Sequence, residues 1–237
     1  MTRARWGALI VGAIALLGAA ALAFTRSSAP QAEKSRPTLL LLTSLPLIFG
    51  EQFSLESGGS RALDVLRSRY RVVPISVTDA ADLRNGRLLL MAQPLAQPAE
   101  DLVTLDNWVR GGGRVMLLAD PMLDWPSERP LGDPLRPPPI FMDTGLLQHW
   151  GLRLDAPAEA GLERRKLAGF EVLTSSPGSL EGHCAVSADR LVAHCRVGKG
   201  EATIIADADL LDVARLGPGA ERNLDALLAE LATLAAK

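Results

Sequence analysis

The sequence contains few aromatic, histidine and cysteine residues. Aromatic side chains make up 4% of the 237 residues, and the chain has 3 histidines and 2 cysteines. A core must therefore be built mainly from aliphatic side chains, and few side chains are available to bind a transition metal. The length predicts one main domain with a substantial core.

Several catalytic and nucleotide-binding motifs are also missing. The sequence has no GxSxG or GxCxG segment, which excludes the nucleophile elbow usual in α/β hydrolases. No GxxxxGK[ST] or GxGxxG segment follows a predicted strand, and no HExxH segment is present. His149 stands beside Trp150 at a predicted helix end, which favours a structural role. The sequence therefore predicts no cofactor and no metal ion.

Charge is unevenly distributed along the chain, whose net charge is −2. The segment before Pro37 carries five basic residues, Arg3, Arg5, Arg26, Lys34 and Arg36, and one acidic residue, Glu33. Residues 37–237 therefore have a more negative net charge than the whole chain. An acidic domain without a Lys/Arg stripe repels phosphate backbones. We therefore expect no nucleic-acid partner.

The N-terminal segment predicts a membrane location. Residues 7–24 contain no charged side chain and follow two arginines. As a helix this run spans roughly 27 Å, close to the hydrocarbon thickness of a bilayer. The positive flank predicts a cytoplasmic N-terminus, with the rest of the chain outside. Residues 1–26 thus favour an uncleaved anchor, although Ala21-Leu22-Ala23 also fits a signal-peptidase site. Polar residues 27–37 predict a linker to a domain over 38–237.

The exported part alternates short apolar runs with helical patterns. Strands are predicted at 38–43, 70–77, 87–92, 114–119 and 201–206, and helices at 60–69, 98–110, 141–150 and 218–236. Pro74 cannot donate to a ladder, so the second strand should be an edge strand. Residues 152–200 alternate polar and apolar positions, which predicts antiparallel strands. This order predicts an α/β fold with a parallel sheet, helices on both faces and a C-terminal antiparallel hairpin.

Cys184 and Cys195 flank the alternating segment CAVSADRLVAHC. A hairpin turning at Asp189-Arg190 would place the two sulfurs opposite each other, which predicts a disulfide in an oxidising compartment. A metal site is the alternative, because His183 and His194 precede the cysteines. Neighbouring strand residues point to opposite faces, so the four side chains should not converge on one ion.

Polar side chains lie at the ends of the predicted parallel strands and within a proline-rich loop, residues 120–139. Ligands of open parallel sheets bind at the carboxyl ends of the strands, and long loops are often functional. We therefore predict a ligand or partner rim in which Trp125 could stack on a sugar or an apolar side chain. The competing interpretation is that Asp120 and Asp207 cap backbone groups and Trp125 pins its loop to the core. The rim comprises Ser44, Gln93, Asp120, Trp125, Ser127, Asp133, Arg136 and Asp207.

The run LLLMAQPLAQPAEDLVTLDNWVRGGGRVMLLADP, residues 88–121, resembles the domain of auxiliary, substrate-binding-like subunits of gliding-motility-type ABC transporters, an uncharacterised ABC transport system family. The similarity lies in a strand, a proline, a helix with the pattern L-x-x-W-V, glycines and a strand ending in Asp-Pro. It implies a flavodoxin-like sheet similar to the class I glutamine amidotransferase fold. The nucleophilic Cys of those amidotransferases lies near Gln93, which implies that the catalytic function is lost. The segment DPMLDWPSERPLGDPLRPP also resembles the loop of short, membrane-anchored relatives.

Together these observations predict a non-catalytic accessory module of an ABC-type transport system. It would be held at the inner membrane by one span, with its domain on the periplasmic side, and would bind permease or ATPase subunits or a small ligand. The alternative is an enzyme acting on cell-envelope carbohydrate through Asp120, Asp133 and Asp207, since carboxylate pairs can hydrolyse glycosides.

Overall fold

The computed structural model describes residues 36–49 and 59–237. The chain divides into residues 1–37 and a compact unit, Thr38–Lys237. The strands of the compact unit are β1 (Thr38–Thr43), β2 (Arg71–Pro74), β3 (Leu88–Ala92), β4 (Arg114–Leu118), β5 (Leu152–Asp155), β6 (Leu162–Leu167), β7 (Phe170–Ser175), β8 (Ser179–Gly182), β9 (Ala185–Val186), β10 (Val192–Val197) and β11 (Gly200–Ile205). Its helices are α1 (Arg61–Arg69), α2 (Ala80–Leu83), α3 (Ala99–Arg110), α4 (Leu146–His149), α5 (Val213–Leu216) and α6 (Glu221–Ala236), with a 3-10 turn at Asp209–Leu211.

A seven-stranded sheet with the order β2-β1-β3-β4-β11-β10-β9 forms the centre of this unit. The first five strands in that order are parallel, and β10 and β9 continue the sheet in antiparallel fashion. All five residues of β3 are buried, because both faces of a parallel sheet are covered. The predicted mixed α/β fold with a mostly parallel sheet is confirmed. Pro74 lies on edge strand β2, as predicted.

Helices cover both faces of the sheet because alternate strand residues point to opposite sides. On one face, α1 and α6 pack against Leu39 and Leu41 of β1. On the other face, α2, α3 and α4 pack against Leu40 and Leu42. α1 begins after Ser60, whose side chain accepts a hydrogen bond from the Leu63 N–H. Two amphipathic helical layers thus enclose one aliphatic sheet.

The antiparallel hairpin carries a disulfide between Cys184 and Cys195, with 4.8 Å between the Cα atoms. His194 pairs with Ala185 in the ladder, which is the register predicted from a turn at Asp189-Arg190. The Cys195 side chain joins the core on one face, while the His194 ring contacts Glu230 on the other, 2.6 Å between Nε2 and Oε1. The predicted disulfide is confirmed.

The short helices differ from the sequence prediction, because α2 and α5 were not predicted and α4 is shorter than predicted. Helix α4 spans only Leu146–His149, whereas a helix was predicted over 141–150. Gly145 precedes it with φ 103°, a left-handed conformation that interrupts a helix, and before that point the Phe141 N–H donates to the Asp120 carbonyl at 2.7 Å. The antiparallel strands predicted over residues 152–200 are confirmed, since β5 pairs with β8 and β6 with β7 in two separate two-stranded sheets.

Within residues 36–49 and 59–237, no helix has both the length and the apolarity needed to cross a bilayer. The proposed anchor, residues 7–24, lies outside the described residues and stays a prediction.

Candidate functional site

The structural centre of the predicted rim is Gln93, the first residue after β3. Its φ is 43°, in the left-handed region that few residues other than glycine adopt, and its side chain is fully buried. The Gln93 amide donates to the carbonyls of Asp120 (3.1 Å) and Pro138 (3.0 Å), and its Oε1 accepts from the Asp120 N–H (2.9 Å). The Ser44 hydroxyl donates to the Gln93 carbonyl. Gln93 therefore joins β1, β3, β4 and the proline-rich loop.

Asp120 follows β4 and is also fully buried. One carboxylate oxygen accepts from the Met122 N–H at 2.9 Å, and the other accepts from the Ala208 N–H at 2.8 Å. Asp120 thus ties the start of the proline-rich loop to the segment after β11. This is the capping role that was predicted as the alternative to ligand binding.

Asp207 and Asp209 follow β11, and neither has exposed surface. Asp207 accepts from the N–H groups of Ser175 (3.0 Å) and Leu210 (2.6 Å), which connects β7 to the 3-10 turn. Asp209 accepts from the Asp124 N–H at 2.7 Å and from the Arg215 guanidinium at 2.9 Å. Every carboxylate oxygen of these two side chains is therefore engaged inside the protein.

Arg215 is the cation of this cluster. Its guanidinium also contacts the Asp124 carboxylate at 2.7 Å and the Asp212 carboxylate at 3.4 Å. Its side chain is 25% exposed, while that of Asp209 is 0% exposed. Arg215 on α5 therefore links a buried carboxylate to the solvent-exposed Asp124 of the loop.

The buried aspartates have raised pKa values. Burial raises the pKa of Asp120 to about 6, although hydrogen bonds from the N–H groups of Ala208, Met122 and Asp209 oppose the rise. Burial, assisted by the Asp120 carboxylate, raises the pKa of Asp209 to about 7, against the Asp124 N–H and Arg215. Burial and the two neighbouring carboxylates raise the pKa of Asp207. The cluster holds more acid groups than its single guanidinium neutralises.

The remaining rim residues lie in the proline-rich loop, and their hydrogen bonds run within it. The Ser127 hydroxyl accepts from the Arg129 N–H at 3.2 Å, and Asp133 accepts from the Leu135 N–H at 2.8 Å. Arg136 donates to the Arg129 carbonyl. Trp125 is partly buried and packs against the core face formed by α1 and α6. These contacts give the loop a defined shape without regular secondary structure.

The structure thus brings together Ser44, Gln93, Asp120 and Asp207, but it places the last three inside the domain. The loop and the residues just after it also expose large apolar side chains, beside exposed acidic residues such as Asp124. Leu131 is 78% exposed and Leu135 66%, and Ile140 and Met142 are also more than half exposed. We call these four side chains the apolar loop surface, and none of them was among the predicted site residues. Their sequence signal was two leucines within the proline-rich loop and two large apolar residues just after it.

Arg215 and Asn223 were also missed. Asn223 is fully buried on α6, and its amide donates to the carbonyls of Leu173 (2.7 Å) and Leu210 (3.1 Å). A polar residue beside Leu224 on a leucine-rich helix was the available signal. Among the described residues, no group of three His, Cys, Asp or Glu side chains could hold a metal ion.

No protein-family model matches the sequence, and no curated protein matches it. Solved structures share parts of the fold. An exo-β-1,4-mannosidase from Opitutaceae bacterium strain TAV5 has a TM-score of 0.47 and 14% identity, over 89% of this chain and 38% of the mannosidase. A β-galactosidase from Bacillus circulans sp. alkalophilus has a TM-score of 0.46 and 13% identity, over 84% of this chain and 31% of that one.

A cytoplasmic protein from Salmonella typhimurium LT2 has a TM-score of 0.44 and 12% identity, over 83% of this chain and 99% of that protein. This chain spans about a third of the length of the two glycosidases. Similarities at these TM-scores and identities do not bear on what this chain does.

Proposed function

We propose that this protein is a non-catalytic, membrane-anchored extracytoplasmic module that assists an ABC-type transport system by binding a partner subunit. The observation that carries this proposal is the identity and burial of Gln93. The residue that ends the third strand of class I amidotransferase-like sheets is a nucleophile on a sharp turn, and here it is a buried glutamine. Its positive φ supports the equivalence, and its hydrogen bonds to Asp120 and Pro138 give it a structural role.

The strand order supports the finer assignment of the fold. The parallel part of the sheet, numbered along the chain, has the order 2-1-3-4-5, which is that of flavodoxin-like sheets. The resemblance over residues 88–121 covers β3, α3 and β4, the segment that contains Gln93 and Asp120. We therefore assign the domain to a flavodoxin-like, amidotransferase-like fold without a nucleophile. The disulfide supports an oxidising compartment.

The apolar loop surface supports protein binding at the carboxyl ends of the strands. Leu131 and Leu135 expose 78% and 66% of their surface on a loop that internal hydrogen bonds hold in shape. Exposed apolar side chains on an ordered loop, flanked by polar residues, are typical of protein interaction sites. A preformed loop also loses little conformational entropy on binding.

Site-specific photo-crosslinking of the full-length protein in native membranes tests this proposal. A photoreactive amino acid at Leu131 or Leu135 should form adducts that contain peptides of an ABC permease or ATPase subunit. The same amino acid at Arg222, an exposed position on α6, is the matched control and should not form them. Adducts at both loop positions that lack transporter peptides, together with unchanged transport after gene deletion, would contradict the proposal.

The carbohydrate-enzyme alternative requires carboxyl groups that reach a sugar. Asp120 and Asp207 have no exposed surface, and Asp133 accepts a hydrogen bond within its own loop. We therefore expect no release of reducing sugar from cell-envelope polysaccharides. Hydrolysis that is lost in Asp133→Asn but retained in Asp225→Asn, an exposed α6 position, would instead support the enzyme.

A further inference from the structure

The amino ends of the parallel strands collect basic side chains that are scattered in the sequence. Parallel strands begin at one edge of the sheet, where Arg71 and Arg114 are the first residues of β2 and β4. Arg87 immediately precedes β3. Helices α1 and α3 carry Arg69 and Arg110 in their last turns, next to the strands that follow. Lys199 lies in the turn before β11, where its N–H donates to the Arg110 carbonyl at 3.0 Å.

We call these six residues the basic edge. Three of them, Arg69, Arg87 and Lys199, are exposed, and within residues 36–49 and 59–237 their side chains form no ion pair or hydrogen bond. The nearby carboxylates are largely used, since Asp106 contacts Arg110 at 2.6 Å and Glu201 contacts Lys237 at 2.9 Å. A chain with a net charge of −2 therefore concentrates positive charge at one edge of its sheet.

The charge separation follows the strand direction. The carboxyl ends hold Asp120, Asp207 and Asp209, whereas the amino ends hold the basic edge. A six-residue strand such as β1 separates the two edges by about 20 Å. This distance exceeds the Debye length of about 8 Å at physiological ionic strength, so the buried carboxylates at the carboxyl ends do little to neutralise the exposed cations of the basic edge.

A cavity of about 320 Å³ lies at the basic edge, lined by Leu83, Arg84, Gly86, Arg87, Trp108 and Gly111–Gly113. A Cβ at Gly113 would lie 2.3 Å from the Trp108 ring, so a glycine is needed for the backbone to approach this indole. Guanidinium groups bind phosphate oxygens with good geometry, and tryptophan is favoured where apolar and aqueous phases meet. The cavity thus combines two arginines with an interfacial aromatic residue.

We propose that the basic edge binds the phosphate headgroups of an anionic bilayer, with Arg84, Arg87 and Trp108 forming a headgroup pocket. The inference rests on the membrane location in the proposed function. The proposed tether, residues 27–37, is continuous with Thr38, the first residue of β1, and so joins the domain at this same edge. Basic groups held beside a membrane anchor gain attraction from anionic lipids. The carboxyl-end surface, with its apolar loop, is then left free for a protein partner.

Energy transfer in lipid nanodiscs tests this surface. The full-length protein carries a fluorescent amino acid at Ser68, an exposed position beside Arg69, and the acceptor is a headgroup-labelled lipid. Transfer should rise about twofold when phosphatidylglycerol is added to phosphatidylcholine, and high salt should reverse it. The triple variant Arg69→Glu, Arg87→Glu, Lys199→Glu should lose this rise. The variant Arg61→Glu, Lys166→Glu, Arg222→Glu has the same net charge and should retain it.

Equal transfer in both lipids, or a rise that persists in the basic-edge variant, would overturn the inference while leaving the proposed function intact. Tighter binding of duplex DNA than of phosphatidylglycerol nanodiscs, lost in the same variant, would also overturn it and assign the edge to nucleic acid. Failure of the full-length protein to enter nanodiscs would overturn both proposals.

Discussion

The side-chain amide of Gln93 pairs with the backbone of Asp120. Its NH2 group donates to the Asp120 carbonyl at 3.1 Å, and its Oε1 accepts from the Asp120 N–H at 2.9 Å. The side chain thereby extends the β3–β4 ladder by one residue beyond the point where the backbone of β3 turns away. The buried polar groups of Asp120 have no water to replace this partner.

Replacing Gln93 by alanine should therefore destabilise the domain. The change leaves a buried N–H and a buried carbonyl unpaired, which should cost about 2–4 kcal/mol. Urea denaturation followed by circular dichroism measures the loss. Gln97→Ala is the matched control, because the Gln97 amide bonds only the nearby Leu95 carbonyl, and we expect little change. Equal effects of the two variants would show that the Gln93 hydrogen bonds do not stabilise the fold.

At pH 8, above the Asp209 pKa of about 7, Arg215→Ala should also be strongly destabilising, because it leaves the fully buried Asp209 carboxylate without its cation. Removing one partner of a buried ion pair costs about 3–5 kcal/mol. Arg153 provides the comparison, since its contacts to Asp155 and Glu181 are made by a side chain that is 66% exposed. Arg153→Ala should cost less than about 1 kcal/mol. A small effect of Arg215→Ala would mean that Asp209 is protonated in the folded state.

Stability should increase as the pH falls from 8 towards 5. In the folded state the pKa of Asp120 is raised from 3.8 to about 6 and that of Asp209 to about 7. Between the unfolded and folded values the folded protein binds more protons, so the free energy of unfolding falls as pH rises through this window. We expect a difference of about 1–3 kcal/mol, measured by urea denaturation at each pH.

The slope of the unfolding free energy against pH, compared between variants, identifies the groups that cause this pH dependence. Asp209→Asn should reduce the slope between pH 5 and 8 whatever its effect on absolute stability, since it removes one titrating group. Asp225→Asn, on the exposed face of α6, should leave the slope unchanged. A stability that rises with pH over this window would contradict the assignment of raised pKa values to the cluster.

Removing the disulfide should lower stability without changing the fold. In the loop-entropy model, the bridge between two cysteines 11 residues apart contributes about 3 kcal/mol at most. The double variant Cys184→Ala, Cys195→Ala should lose this amount in thermal or urea unfolding. Added reductant should destabilise the unmodified protein by a similar amount and have no effect on the double variant.

The oxidation state of the same cysteines reports on the compartment. Alkylation of intact cells should find no free thiol in the full-length protein, because the proposed export would expose the domain to an oxidising environment. Deletion of residues 7–24 should leave the domain in the cytosol with both thiols reactive. Free thiols in the full-length protein would contradict the proposed topology.

The parallel sheet was predictable because its strands are short aliphatic runs, and Pro74 could be placed on the edge because it lacks an N–H. The disulfide was predictable because period-2 alternation fixes which side chains face each other. The four-residue helix α2 and the start of α4 were not, since one turn is too short to show a helical period, Asp79 begins α2 through a side-chain cap and Gly145 begins α4 through a left-handed backbone conformation.

The site was harder to predict. The sequence located Gln93, Asp120 and Asp207 at strand ends, but strand-end position alone does not say whether a side chain turns outwards or inwards. Arg215 reaches Asp124 across 91 positions of sequence, and such a contact exists only once the fold is formed. The basic edge could not be predicted for the same reason, because its arginines are spread among separate elements.

The two edge strands of the seven-stranded sheet have a consequence for association between copies of the domain. One border, β2, is four residues long and ends in Pro74, and the other, β9, is two residues long and is followed closely by the turn that the disulfide encloses. One of these short strands contains a proline and the other lies beside a disulfide. They therefore offer few unpaired backbone N–H and C=O groups to a neighbouring chain. The sheet therefore gives copies of this domain little backbone through which they could pair edge to edge into fibres.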